Sequence, residues 1–141
     1  MKKYLMALAF SLPLMAQAQE HYDLGSYWQI SGVKTMPTKF DAYIEDIGGL
    51  WRSEMERLKD DGKVLSYKLL SNVHARDGEP TLWLMVEWKS AADMLDTPFE
   101  YWETMVKEVV GSMEKSEELA VERGELRTIM GDTLAREIMF K

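Results

Sequence analysis

The chain has 141 residues, 46% hydrophobic and 29% charged, a length that builds one core rather than two. Seventeen basic against 24 acidic residues give a formal charge of −7, and no window gathers Lys and Arg with aromatics, which argues against a nucleic-acid partner. With no cysteine, disulfides, thiol nucleophiles, iron–sulfur clusters and thiolate zinc sites are excluded; with His21 and His74 as the two histidines, so is a three-histidine metal site.

Residues 1–18 read as an export signal. Lys2 and Lys3 precede an apolar run from Tyr4 to Met15, and Ala16-Gln17-Ala18 has the small-x-small spacing that signal peptidase cuts. The run is too short for a bilayer core, which needs about 20 residues. Cleavage would leave 123 residues with 15 basic and 24 acidic groups, a charge of −9, in the periplasm or outside the cell with no stable membrane association.

Residues 19–26 read as a flexible leader, and residues 27–141 as a single domain. Tyr27 to Met36 has strand character ending at Pro37. Thr38 and Asp41 have capping-box spacing, and Phe40, Ile44, Ile47, Trp51, Met55 and Leu58 form one apolar helical stripe closed by Gly62. Gly48-Gly49 in its middle implies close packing or a slight kink. Val64 to Ala75 and Thr81 to Lys89 alternate around the turn Arg76-Asp77-Gly78-Glu79-Pro80, with Leu82, Leu84, Val86 and Trp88 inward, as a hairpin does. Ser90 and Asp93 repeat the capping spacing, Thr97-Pro98 restarts a helix, and Phe99, Trp102, Val106, Val109 and Met113 form its stripe. The charged stretch Glu114 to Glu125 reads as a solvated helical face that continues through Leu126, Ile129 and Met130 to Gly131, before a last short strand from Leu134 to Lys141.

The order strand, helix, strand, strand, helix, strand is the split βαβ pattern, an α+β ferredoxin-like fold with an antiparallel sheet and both helices on one face. The opposite face is expected to carry Val33, Leu70, Trp83 and Met85 among Gln29, Ser31, Asn72 and His74. So apolar a face implies a cover, and the same face of a second copy, giving a homodimer, is the expected one.

Several residues carry candidate chemistry. His74, with Asn72 two residues away, has an imidazole suited to a general base, or to a hydrogen-bonded residue beside the turn. Trp28, Trp51, Trp88, Tyr101 and Trp102 are placed to approach the space between sheet and helices, as walls for a flat organic ligand or as filling of the core. Arg127 and Arg136 flank the last turn and suit either a substrate carboxylate or surface ion pairs.

Val86-Glu87-Trp88-Lys89-Ser90 leading into Ala91-Ala92, and Val33-Lys34-Thr35-Met36-Pro37 before Phe40, resemble the strand-to-helix junctions of the dimeric α+β barrel superfamily, with Thr38 near a position where glycine is usual. That superfamily includes antibiotic-biosynthesis-type monooxygenases, ethyl tert-butyl ether degradation-type proteins, NIPSNAP-type domains and heme-degrading enzymes. The resemblance implies a small apolar or aromatic ligand and, if there is catalysis, cofactor-free monooxygenation. In it a phenol or quinol is deprotonated and its carbanion passes an electron to O₂. His74 would then be the base, with Trp28, Ser31, Asn72, Trp88, Tyr101, Trp102, Arg127 and Arg136 binding substrate; no cofactor and no metal is implied. The heme-degrading branch uses an Asn, a Trp and a His where this chain has Ser31, Asp93 and Glu103, which disfavours it. A non-catalytic dimeric interaction or stress-related module is the competing class.

Overall fold

Period-two burial along Leu82, Leu84, Val86 and Trp88, each under one-tenth exposed, fixes which face of the sheet is inside. In the computed structural model, which describes residues 20–141, these residues form the central strand β3 (Leu82–Trp88). The others are β1 (Tyr22–Thr35), β2 (Val64–Ser71) and β4 (Arg127–Phe140), in the antiparallel order β2-β3-β1-β4. Helix α1 (Phe40–Asp60) follows β1; α2 (Ala91–Leu95), α3 (Phe99–Val110) and α4 (Met113–Gly124) follow β3. This is the ferredoxin-like α+β fold the element order predicts, with the second helical region divided into three. The export signal assigned to residues 1–18 lies outside the described residues; among these, no helix is long and apolar enough to cross a membrane.

Two clusters share the core. Tyr43 and Ile47 of α1 pack on Val33, Leu82 and Leu84; farther along the same helix Met55 and Leu58 meet Val64, Val86, Trp88 and Met105, with Trp51 against both groups. The predicted stripe thus holds, and α1 ends as its glycine implies. Lys63 N–H donates to the Leu58 carbonyl and Gly62 N–H to that of Lys59, a Schellman stop with Gly62 at φ 71°.

Elsewhere the elements differ from expectation. Residues 22–26, expected in the leader, belong to β1, and Tyr22, Asp23 and Leu24 pair with β4 in a two-stranded ribbon that runs past the end of β3 at Trp88. Thr38 caps nothing, because Lys39 is the N-cap and Thr38 has φ 67°, the left-handed geometry that glycine adopts most easily. Gly48 and Gly49 are exposed and no atom approaches where their Cβ would be, so close packing does not explain them. Gly111, at φ 105°, ends α3, and Ser112 caps α4 by accepting from Lys115 N–H at 3.0 Å. Ile129 and Met130 belong to β4, not to a helix, with Met130 bulged between the pairs Gly32–Gly131 and Val33–Ile129.

The register also re-sorts the faces. Val33, Ser31 and Gln29 sit opposite Leu82, Leu84 and Val86 and therefore point toward the helices. Trp28, Ile30, Leu70, Trp83 and Met85 make the outer face. Asn72 and His74 lie beyond β2, in its connection to β3.

Candidate functional site

Side chains on α1, α3, β1 and β3 leave a cleft of about 370 Å³ between helices and sheet. Its walls are apolar and aromatic: Trp51 and Met55 from α1, Leu84, Val86 and Trp88 from β3, and Trp102, Met105 and Val106 from α3. Trp88 and Trp102 stand edge to face with centroids 6.4 Å apart, and Tyr101 braces Trp102 in the same way at 5.3 Å. Three polar side chains, Gln29, Ser31 and Glu54, enter this lining.

Gln29 and Ser31 are set by hydrogen-bond partners, and Glu54 by its place on α1. The Trp88 indole N–H donates to Gln29 Oε1 at 3.2 Å, which orients that amide and leaves its NH₂ to donate elsewhere. The Ser31 hydroxyl donates to Asp132 on β4, leaving its oxygen as an acceptor. Glu54 follows Trp51 by three residues and precedes Leu58 by four, so helical geometry turns its carboxyl onto the apolar side of α1. Burial raises its pKa above the ordinary carboxyl value, partly offset by the positive charge of Arg123. A carboxyl in this state is a proton acceptor and donor nearer to neutral pH than a solvated one.

The sequence-predicted site residues are dispersed. Ser31, Trp88 and Trp102 line the cleft. His74 does not: it is exposed in the β2–β3 connection, its backbone N–H reaching Asn72 Oδ1 at 3.3 Å, while Asn72 Nδ2 donates to the Pro80 carbonyl at 3.0 Å. Both hold a turn. Trp28 is on the outer face under Lys68, whose ammonium is 4.5 Å from its ring. The Tyr101 hydroxyl donates to Asp61 Oδ2 at 2.6 Å on the outside of α3; burial first and this bond second push its pKa well above the ordinary value. Arg136 donates to the Gly25 carbonyl at 3.3 Å and stacks 4.8 Å over Tyr27. Arg127 sits against the Tyr43 hydroxyl. Sequence reasoning missed Glu54 and Gln29, although the bracketing of Glu54 by Trp51, Met55 and Leu58 was a readable sign. Among the described residues no group of three or more His, Asp or Glu could hold a metal ion.

No family model matches the chain, and no curated protein matches it. Among solved structures it is similar to the crystal structure of a dimeric ferredoxin-like protein from an uncultured marine organism, at a TM-score of 0.47 and 6% identity, over 83% of this chain and 90% of that one.

Proposed function

We propose that this protein binds a small, flat, largely apolar molecule in the cleft between α1, α3 and the sheet, and that it does so as an exported homodimer. The carrying observation is an open, tryptophan-walled space with three oriented polar groups, one of them a carboxyl of raised pKa. A filled core would not leave room there, and a simple scaffold gains nothing from a half-desolvated carboxyl. Export rests on the pattern of residues 1–18, and the dimer on the apolar outer face.

Cofactor-free oxygenation is the catalytic extension. Glu54 takes the place first assigned to His74. It would accept the proton of an activated C–H on a quinol-like substrate; the carbanion gives one electron to O₂, the radical pair joins as a peroxide, and loss of water leaves a carbonyl. One oxygen atom ends in the product and one in water. Two measurements separate binding from catalysis. Titration of neutral bicyclic phenols against tryptophan fluorescence is expected to give saturable quenching, weakened about tenfold or more in Trp102→Ala. The absence of saturable quenching across the panel would remove the cleft reading. Oxygen uptake with a quinol panel is expected to be lost in Glu54→Gln and kept in His74→Ala; the reverse pattern would restore the histidine, and no uptake by the parent leaves a binding protein.

A further inference from the structure

Among the described residues that line the cleft, Glu54 is the one ionisable side chain, and no lysine, arginine or histidine accompanies it. The remaining polar groups of the lining, Gln29 and Ser31, carry no charge. The aromatic walls are the indoles of Trp51 on α1, Trp88 on β3 and Trp102 on α3. Three separate elements thus bring tryptophans to a space that also holds a single acid.

That acid has no counter-ion in contact. Among the described residues no hydrogen bond or ion pair reaches the Glu54 carboxyl; the cation that acts on it is Arg123, whose Nε is committed to Asp46. Burial raises the pKa of Glu54 and Arg123 offsets the rise only in part, so a positive charge in contact would stabilise the carboxylate further. The neighbouring groups add acceptor character. Ser31 spends its proton on Asp132, which leaves its oxygen to accept, and the Trp88 indole N–H is spent on Gln29 Oε1, so that ring offers π surface rather than a donor.

One acid, no base and three indoles select positive charge: the carboxylate supplies Coulombic attraction, and tryptophan is the side chain whose ring attracts cations most strongly. The kind of cation follows from what the walls can replace. A hard metal ion needs several oxygen ligands, and among the described residues no group of three or more His, Asp or Glu could hold one. A compact ammonium surrenders tightly held water that mostly apolar walls do not replace, whereas a charge spread over a ring loses less. We infer that the cleft selects a flat aromatic cation, its ring between Trp51, Trp88 and Trp102 and its charge against the Glu54 carboxylate. This rests on the cleft reading above and narrows it. The formal charge of −7 on the chain favours the approach of the same sign of ligand.

The test is equilibrium dialysis of the full chain against 1-methylquinolinium and 1-methylnaphthalene, alike in shape and different in charge, in mildly alkaline buffer that favours the Glu54 carboxylate. Transfer out of water alone favours the hydrocarbon, so a cleft that reads only shape and apolarity holds 1-methylnaphthalene more tightly. The parent is expected to reverse that order and hold the cation more tightly by about tenfold. Glu54→Gln, equal in size and uncharged, should return the advantage to the hydrocarbon. Glu45→Gln, which removes an exposed carboxylate from the same helix, should keep the cation preference and so separates the site from the overall charge of the chain. Binding of the hydrocarbon reports that the cleft is formed in each variant. A parent that holds the hydrocarbon as tightly as the cation, or more tightly, overturns the cation reading and leaves the cleft, as does a cation preference that survives Glu54→Gln. If neither compound binds the parent, both readings fall together.

Discussion

A carboxyl facing tryptophans should record its surroundings in the pH dependence of stability. The folded state raises the pKa of Glu54 above its ordinary 4.5, chiefly by burial, so the folded chain holds that proton more tightly than the unfolded chain. The stability linked to it is complete below the unfolded value and is lost as pH climbs through the higher folded value. Glu54→Gln has no proton to lose. Its stability relative to the parent is therefore expected to rise with pH over the range above the ordinary carboxyl value of 4.5. Urea midpoints of both proteins across that range measure this, and a pH-independent difference would mean Glu54 is solvated. Other shifted groups, such as Glu87, held low by Ser26 and Ser66, are common to both proteins and cancel. The site was only partly legible for a related reason. Trp88 and Trp102 announce themselves by side-chain type and spacing. Glu54 looks like any helical glutamate until the stripe around it is drawn, and His74 looked chemical because alternation was carried past Ser71, where β2 ends.

At the scale of elements, α1 contains a built-in weakness. Gly48 and Gly49 lie mid-helix and exposed, and a methyl group at either would meet nothing within 4 Å. Glycine costs a helix interior about 1 kcal/mol relative to alanine, so Gly49→Ala is expected to stabilise the fold by that order, raising Tm by about 3–5 °C. A loss of stability in thermal unfolding would instead reveal that another backbone approaches α1 there. Elements set by local periodicity, α1 and the β2–β3 pair, were readable from spacing alone. β4 was not. Leu126, Ile129 and Met130 have spacings a helix also allows, and Gly131 reads as a helical stop; what makes them a strand is pairing with β1, about 100 residues earlier, along the whole of both strands. The same long-range pairing extends β1 back to Tyr22, where the local sequence is too polar to announce a strand.

For the whole molecule the open question is what covers the sheet. The helices occupy one face; the other presents Trp28, Ile30, Leu70, Trp83 and Met85, with Lys68 above Trp28 and Glu87 and Glu137 beside them. A chain of charge −7 would be expected to keep such a face polar if it met only water. Both charge signs on its border suit a two-fold partner: in an isologous interface Lys68 of one protomer is free to meet the partner's Glu137 while the indoles and aliphatic groups close over the centre. The parent is therefore expected to run at twice its monomer mass by light scattering at micromolar concentration. Trp83→Glu and Ile30→Glu each place a carboxylate against its own copy across the axis and should yield folded monomers, recognised by unchanged far-ultraviolet circular dichroism. A monomeric parent would remove the dimer. Variants that stay dimeric would move the interface to the ribbon of Tyr22–Ser26 with Arg136–Phe140, whose Ile138 and Phe140 are 58% and 92% exposed. The cleft lies on the helical side of the sheet, so the monomeric variants should still bind their ligand; dimerisation would then stabilise the fold, a need that a chain without cysteine has no disulfide to meet.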